Sequence, residues 1–176
     1  MTPKLILILG GARAGKSTFA LRLAKEYAGE GSVAFIATAQ ALDDEMAYRI
    51  ARHREERPSH WSTIEEPYQL DEALIKLSNS GVAIVDCLTL FISNWLLRDD
   101  EPMLQEVTNR FLATVRSRAQ TVICVSNEVG LGLVPETPLG RTFRDLLGRV
   151  NQQFAEAADE VYLLVAGLPL RLKPRD

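Results

Sequence analysis

Residues 4–18 read Lys-Leu-Ile-Leu-Ile-Leu-Gly-Gly-Ala-Arg-Ala-Gly-Lys-Ser-Thr, an apolar run followed by a glycine-rich turn. Gly10, Gly15, Lys16 and Ser17 match the phosphate-loop pattern, two glycines five positions apart followed by Lys and Ser or Thr. The glycines of such a loop let the backbone curl so that successive N–H groups point into one concavity, which phosphate oxygens fill. The stretch therefore predicts a strand, a loop that binds a nucleoside triphosphate, and a helix.

The residues of this loop have distinct expected roles. The first turn of the following helix adds unpaired N–H groups and a partial positive charge, Lys16 reaches the β and γ phosphates, and the Ser17 hydroxyl can bind Mg²⁺. An apolar helix face that begins at Phe19 favours this assignment over a strand-to-helix turn without a ligand. The predicted nucleotide-binding loop consists of Gly10, Gly11, Ala12, Arg13, Ala14, Gly15, Lys16 and Ser17.

The length and composition indicate one domain that spans residues 1–176. A chain of 176 residues that is 47% hydrophobic can bury one good core and is short for two. Its formal net charge of −3 argues against a nucleic-acid partner. We therefore expect a small-molecule substrate.

The cysteines and the apolar runs predict the location. Cys87 and Cys124 lie in strand-like apolar runs and form no Cys-x-x-Cys pair, which is typical of reduced core thiols. The N-terminal apolar run is shorter than that of a signal peptide, and no run reaches the length of a membrane span. We expect a cytoplasmic protein without a membrane span.

Apolar runs alternate with segments of helical periodicity along the chain. The runs show no in-and-out alternation, as expected for parallel strands covered by helices on both faces. The tail at 168–173 does alternate, and its proline and charges suit an antiparallel edge strand. The fold class is therefore α/β, a single-domain P-loop NTPase fold with a mostly parallel sheet. The predicted buried strands are 4–9, 33–38, 82–87, 121–126 and 160–166. The predicted helices span about 44–57, 68–77 and 138–158, and Pro102 opens a further helix that carries Val107, Phe111 and Val115 on one face.

Asp86 ends the third apolar run, at the carboxyl edge of the predicted sheet. Open α/β sheets bind their ligands at this edge. Asp86 is therefore a candidate partner of Mg²⁺ together with Ser17, as in other phosphate-loop proteins. The alternative is that Asp86 caps the helix that begins near Thr89.

The predicted helix at 44–57 carries a cluster of cationic side chains. Arg49, His53 and Arg57 lie at positions i, i+4 and i+8 and share one face, which can bind phosphates. An imidazole is nucleophilic at neutral pH and leaves readily once protonated, so His53 is able to accept a nucleotidyl group. A solvated helix face in which Glu55 and Glu56 pair with the arginines explains the same pattern.

Polar residues also follow the second and fourth predicted strands. Thr38 and Gln40 follow the second strand, and Asn127 and Glu128 follow the fourth, so all four reach the sheet edge that binds ligands. A loop whose polar side chains satisfy its own backbone explains residues 127 and 128 equally well.

Ordered motifs span nearly the whole chain. They are Gly-Gly-Ala-Arg-Ala-Gly-Lys-Ser at 10–17, Ile-Ala-Thr-Ala-Gln at 36–40, Asp-Asp-Glu-Met at 43–46, Arg-Ile-Ala-Arg-His-Arg at 49–54, Arg-Pro-Ser-His-Trp at 57–61, Val-Asp-Cys-Leu-Thr at 85–89, Ser-Asn-Glu-Val-Gly at 126–130 and Gly-Arg-Val-Asn-Gln at 148–152. Together they resemble the bifunctional adenosylcobinamide kinase / adenosylcobinamide-phosphate guanylyltransferase family of cobalamin (vitamin B12) synthesis.

The resemblance implies two reactions on one scaffold. Adenosylcobinamide is first phosphorylated with ATP or GTP. GTP then guanylylates an enzyme histidine, and adenosylcobinamide phosphate takes the GMP to give adenosylcobinamide-GDP. His53 matches the guanylylated histidine by its place in the Arg-His-Arg run, and Lys16 and His53 are the expected catalytic residues.

The resemblance also implies further site residues, a RecA-like fold with one antiparallel strand, and a homotrimer. Ala14 stands where the family usually has Ser, so a hydroxyl contact there is lost. The further nucleotide-contacting positions are Ala37, Thr38, Ala39, Arg54, Glu55, Glu56, Arg57, Glu65 and Asp86, with Ser17 and Asp86 as the Mg²⁺ ligands.

Two other classes of protein use the same loop. A small-metabolite kinase transfers only the γ-phosphate, and a non-catalytic nucleotide switch binds partners without chemistry. Covalently retained GMP distinguishes the guanylyltransferase from both.

Overall fold

One sheet of seven strands organises the computed structural model, which describes residues 2–55, 57–77 and 81–174. In chain order the strands are β1 (Leu5–Gly10), β2 (Val33–Ala37), β3 (Ser62–Glu65), β4 (Val82–Asp86), β5 (Thr121–Asn127), β6 (Glu160–Val165) and β7 (Leu168–Lys173). Their order across the sheet is β3-β2-β4-β5-β1-β6-β7, and neighbours are parallel except for the antiparallel pair β6 and β7. The predicted α/β fold with an antiparallel edge strand is confirmed.

Six helices lie between these strands in the described residues. They are α1 (Lys16–Ala28), α2 (Asp44–Glu55), α3 (Leu70–Lys76), α4 (Leu88–Leu96), α5 (Glu101–Arg116) and α6 (Pro138–Ala157). Within residues 2–55, 57–77 and 81–174, no helix has the length and apolar character needed to span a bilayer.

Side-chain caps explain where three of the helices begin. Asp43 accepts a hydrogen bond from the Met46 N–H at 2.7 Å, ahead of α2. Asp100 and Thr137 likewise cap α5 and α6, by accepting from the N–H groups of the third residue after each. Such caps satisfy N–H groups that lack a partner inside the helix.

Both faces of the sheet are covered, which accounts for the continuous apolar runs. Leu5 and Leu7 of β1 pack into a core with α3 to α6, whereas Ile6 and Ile8 pack into a second core with α1. All four side chains are at most 4% exposed. A strand buried on both faces has no polar side, so its sequence does not alternate.

Strand β3 has no counterpart among the strands predicted from the sequence. Ser62–Glu65 pairs in parallel with β2 at the outer edge of the sheet, and only Ile64 is half-buried while its neighbours are exposed. An edge strand of four residues with a single apolar side chain gives neither an apolar run nor a clear alternation. This segment is a strand because it pairs with β2, not because of its own side chains.

The opposite edge of the sheet is the β6–β7 hairpin. Leu168, Leu170 and Leu172 of β7 alternate with polar residues as predicted, but they are 72%, 57% and 41% exposed. The alternation therefore does not mark a face that is buried within this chain.

A buried acid holds this hairpin to the rest of the sheet. Glu160 on β6 is 4% exposed, forms an ion pair with Lys4 and accepts hydrogen bonds from Tyr27 and Tyr162. Burial alone raises the pKa of Glu160, but the hydrogen bonds from Lys4, Tyr162 and Tyr27 outweigh it, so its pKa lies below the ordinary value of 4.5.

We expect Glu160→Gln to lower the free energy of unfolding by about 2 kcal/mol at pH 7, because Lys4 then loses its charged partner. A carboxylate whose pKa is lowered in the folded state adds stability above its unfolded pKa, and this stability is lost as the pH falls through the folded pKa. The difference between wild type and variant should therefore shrink below about pH 4.5. Urea unfolding at several pH values measures it, with Glu26→Gln on the exposed face of α1 as control.

Candidate active site

The predicted phosphate loop joins β1 to α1 at the carboxyl edge of the sheet. The Ala14 N–H donates to the Gly11 carbonyl at 3.3 Å, and Lys16 Nζ donates to the same carbonyl at 2.7 Å. Gly15 directly precedes α1 and has a φ of 92°. The first turn of α1, which the structure describes in full, contains no acidic residue. The Lys16 ammonium and the first turn of α1 thus lie on one loop without an acidic residue in that turn, which favours anion binding.

Lys16 is the buried cation of the loop. Its residue is 8% exposed, and burial lowers the pKa of its ammonium, an effect that the nearby Cys87 and Asp86 oppose. An ammonium held among backbone groups with little water interacts strongly with phosphate oxygens.

Ser17 and Asp86 meet beside the loop. The Ser17 hydroxyl donates to Asp86 Oδ2 at 3.0 Å. Burial raises the pKa of Asp86 above its ordinary value, and the Ser17 hydrogen bond and the charges of His53, Arg57 and Lys16 offset only part of this rise. Cys87, not Asp86, is the N-cap residue of α4, and in this described region no side chain caps that helix. The alternative of Asp86 as a helix cap is therefore wrong.

Two oxygen donors at this distance fit Mg²⁺, which prefers carboxylate, hydroxyl, phosphate and water oxygens. Among the residues that the structure describes, no group of three or more His, Cys, Asp or Glu side chains forms a metal site of its own. A single hydroxyl and a single carboxylate fit an ion that also takes phosphate and water oxygens as ligands.

Thr38 fixes the backbone next to Asp86. Its side chain is fully buried, and its hydroxyl accepts from the Cys87 N–H at 2.8 Å and donates to the Cys87 carbonyl at 2.7 Å. The sequence predicted that Thr38 contacts the nucleotide. Its hydroxyl is instead hydrogen-bonded to the Cys87 backbone. Asn94 of α4 donates to the Thr38 carbonyl at 2.9 Å and holds the same point from the other side.

We expect Thr38→Val to lower the free energy of unfolding by about 2 kcal/mol, because the shape is kept while the Cys87 N–H loses its partner and the Cys87 carbonyl keeps only the Phe91 N–H. Thr108→Val is the matched control, since Thr108 is 1% exposed and its hydroxyl has no hydrogen-bond partner in the described part of the chain. Urea unfolding compares the two. A loss as large in Thr108→Val as in Thr38→Val would contradict the role of the Thr38 hydroxyl.

Helix α2 brings His53 to the Ser17–Asp86 pair. His53, Arg57, Ser17 and Asp86 line one crevice, whose wall includes Phe35 of β2. The guanidinium carbon of Arg57 lies 3.6 Å from the centre of the Phe35 ring. The His53 residue is exposed, so its ring is not fixed in a packed interior.

A second cavity lies on the other side of α2. Arg54 pairs with Glu65 of β3 at its rim, and Ala39 and Gln40 line the same space. The sequence assigned Arg54 and Arg57 to one nucleotide-binding segment. In the structure Arg57 lines the crevice with His53, whereas Arg54 lines the second cavity. Glu55 is exposed at the end of α2, and Glu56 lies outside the described residues.

The loop after β5 uses its polar groups on the protein itself. Glu128 Oε1 accepts from the Gly130 N–H at 2.6 Å, and the Glu128 N–H donates to the Gly10 carbonyl at 3.0 Å. The Asn127 N–H donates to the Thr89 hydroxyl at 2.7 Å, and Asn151 donates to the Asn127 carbonyl at 3.0 Å. The Glu128 side chain thus satisfies the backbone of its own loop, as one interpretation of the sequence predicted, whereas these contacts of Asn127 use its backbone.

Three positioning residues were missed in the sequence. Thr89, Asn94 and Asn151 are each at most 7% exposed, and each bonds to backbone at the carboxyl edge of the sheet. Buried polar side chains inside helices were the available signal, because such groups need a partner. Their partners lie 24 to 56 positions away, so no local pattern predicts them.

The strand order, the loop between β1 and α1, and Asp86 at the end of β4 define a P-loop nucleotide-binding protein. Similar solved structures are the flagellar accessory protein FlaH of Methanocaldococcus jannaschii (TM-score 0.59, 17% identity, 98% of this chain and 79% of that one) and a KaiC-like protein of the hyperthermophilic archaeon Pyrococcus horikoshii OT3 (0.52, 16%, 92% and 71%). At these identities the likeness shows the fold alone.

Sequence comparison defines the family. The family model described as cobinamide kinase / cobinamide phosphate guanyltransferase matches residues 6–172, so the chain belongs to that family, as its motifs predicted. It is 47% identical over 169 residues to the bifunctional adenosylcobalamin biosynthesis protein CobP of Pseudomonas aeruginosa, with 95% of this chain and 96% of that one covered. It is 41% identical over 184 residues to the corresponding CobU of Escherichia coli K12, with 96% and 99% covered.

Proposed function

We propose that this chain is an enzyme that catalyses both reactions for which its family is named. It phosphorylates adenosylcobinamide with ATP or GTP, and then transfers GMP from GTP to adenosylcobinamide phosphate. The observation that carries the proposal is the crevice where His53 lies beside Ser17 and Asp86, because a phosphate-binding site and a nucleophile meet there.

The kinase step needs positioning and charge neutralisation. The hydroxyl oxygen of adenosylcobinamide attacks the γ-phosphorus and its proton is released to water, while the bond from that phosphorus to its bridging oxygen breaks and ADP or GDP leaves. Lys16 and the N–H groups of the loop stabilise the charge that develops on the phosphate oxygens. Mg²⁺ held by Ser17 and Asp86 supplies further neutralisation of the phosphates when it is bound.

The guanylyl step needs a nucleophile. A neutral ring nitrogen of His53 attacks the α-phosphorus of GTP, a P–N bond forms, and pyrophosphate leaves. The phosphate of adenosylcobinamide phosphate then attacks the same phosphorus, the P–N bond breaks, and adenosylcobinamide-GDP is released. Arg57 lines the crevice with His53. We therefore propose that its guanidinium stabilises the negative charge on the departing pyrophosphate.

The cavity beyond α2 is assigned to the remainder of the nucleotide. The Arg54–Glu65 pair borders it together with Ala39 and Gln40, which follow β2, so these residues are placed to contact a nucleoside. Of the nucleotide contacts that the family resemblance implies, Ala39, Arg54 and Glu65 border this cavity. Ala37, Thr38, Glu55 and Glu56 are proposed as nucleotide contacts from the resemblance alone.

Labelled GTP tests the proposal. With Mg²⁺ and no corrinoid, α-³²P-GTP should give a labelled protein that keeps the label during denaturing electrophoresis. Adding adenosylcobinamide phosphate should then remove the label from the protein and yield labelled adenosylcobinamide-GDP. With γ-³²P-GTP or γ-³²P-ATP, the label should pass to adenosylcobinamide. A γ-transfer without a protein adduct indicates a small-metabolite kinase, and absence of both indicates a nucleotide switch.

We further propose a cytoplasmic homotrimer made of single-domain chains of residues 1–176, without a nucleic-acid partner. Free Cys87 and Cys124 thiols and the use of ATP and GTP suit the cytoplasm. The exposed leucines of β7 suit an interface between subunits. The net charge of −3 favours a small acceptor over a polyanion.

A further inference from the structure

The turn of the β6–β7 hairpin lies directly against the phosphate loop. The two central residues of this turn, Ala166 and Gly167, have φ of 52° and 82°, and the flanking Val165 and Leu168 pair with each other. Two successive residues at positive φ are typical of the tightest hairpin turns. The turn contacts the phosphate loop and not another strand.

Gly167 contacts the loop through its backbone. Its N–H donates to the Ala14 carbonyl at 3.1 Å. A Cβ added to Gly15 would lie 3.3 Å from the Gly167 Cα, so the two backbones are in van der Waals contact. The hairpin thereby binds the peptide unit that joins Ala14 to Gly15.

The orientation of that peptide decides where one phosphate donor points. The peptide bond is planar and trans, so its carbonyl and its N–H point in opposite directions. Because the Ala14 carbonyl points toward the hairpin, the Gly15 N–H points away from it. Gly15 directly precedes α1, whose first turn is where the loop is proposed to bind phosphates.

The hairpin also fixes the other glycine of the loop. Gly10 pairs with Leu164 of β6, and a Cβ at Gly10 would lie 2.7 Å from the Leu164 carbonyl oxygen. On the same strand Tyr162 packs edge-on against Phe19 of α1, with ring centres 5.2 Å apart. The hairpin is therefore held at β1 and at α1, and the loop lies between these two points.

We propose that Gly167 is a positioning residue for triphosphate binding. Its N–H holds the Ala14 carbonyl and thereby keeps the Gly15 N–H directed at the phosphates before the nucleotide arrives. A donor fixed in advance needs no reorganisation on binding, whereas a peptide free to rotate does. The inference rests on the triphosphate binding that we propose for the loop, and it adds a residue distant in sequence from that loop.

Gly167→Ala tests the role, since no atom lies within 4 Å of the added Cβ and the change acts through the positive φ that alanine disfavours. Gly167→Asn should rescue binding, because asparagine tolerates this backbone conformation. Ala166→Gly is the matched control in the same turn. The probe is guanosine 5′-[α,β-methylene]triphosphate with Mg²⁺, which cannot guanylylate the protein, and its dissociation constant is measured by calorimetry beside that of GMP.

We expect Gly167→Ala to weaken binding of the triphosphate analogue about tenfold, with GMP unaffected and with Gly167→Asn and Ala166→Gly within about threefold of wild type. Equal loss for the analogue and for GMP, equal loss in Gly167→Asn, or wild-type affinity in Gly167→Ala would overturn the proposal. If Gly167→Ala does not fold, replacing the Gly167 N–H with an ester oxygen by in vitro translation tests the same bond. A wild-type protein that binds no analogue would overturn the proposed function itself.

Discussion

Replacing His53 with alanine is expected to abolish the covalent protein–GMP adduct. The variant loses the imidazole that attacks the α-phosphorus, while the loop, Ser17 and Asp86 keep their contacts. Transfer of GMP to adenosylcobinamide phosphate should fall below detection, and γ-phosphate transfer to adenosylcobinamide should stay within about tenfold of wild type. Electrophoresis with α-³²P-GTP and a γ-³²P transfer assay measure the two steps separately.

His60→Ala is the control, because His60 is the second of the two histidines of the chain and is also exposed. It does not line the crevice with Ser17 and Asp86 in the described residues, so its adduct should match that of wild type. The adduct should also be labile in acid and stable in base, as a phosphoramidate is. An undiminished acid-labile adduct in His53→Ala would refute the assignment of the nucleophile.

Replacing Lys16 with alanine should reduce both reactions by about 100- to 1000-fold, in contrast to the selective loss in His53→Ala. Lys16 is the buried cation of the phosphate loop, and both steps require the triphosphate to be held and its charge neutralised. The initial rates of γ-transfer and of adduct formation, each at saturating nucleotide, measure the effect.

Lys25→Ala is the control for Lys16→Ala, because Lys25 is an exposed lysine on the same helix and lies in its last turn. We expect its rates to be close to those of wild type. If Lys16→Ala loses γ-transfer but forms the adduct at the wild-type rate, the α-phosphate is attacked in a site that the loop does not hold. That result would require separate nucleotide sites for the two steps.

The sequence predicted the centre of the fold better than its edge. Strands buried on both faces leave long apolar runs, and β1, β2, β4, β5 and β6 were all predicted within two residues of their ends. Strand β3 was missed, since an exposed edge strand is specified by its pairing with β2 rather than by its own side chains. The tail was predicted as an edge strand because proline and charge mark such strands locally.

The site was predicted where it depends on motifs and missed where it depends on contacts. The loop and Asp86 follow from residue type and strand position, and the structure brings Ser17 and Asp86 to 3.0 Å. The bonds from Thr38 to Cys87 and from Gly167 to Ala14 join segments 49 and 153 positions apart. Such pairs are set by the topology of the sheet, which residue spacing does not encode.

Helix α2, which carries His53, has no buried residue, and all of Asp44–Glu55 is described. Shifting this helix relative to the sheet therefore uncovers little apolar surface and forfeits little hydrophobic free energy. The phosphate loop, in contrast, joins β1 to α1, and the inner face of α1 is buried. In the mechanism that we propose, the phosphate loop is therefore anchored in the core while the nucleophile lies on a helix without buried residues, so the imidazole can approach and leave the α-phosphorus without disturbing the core.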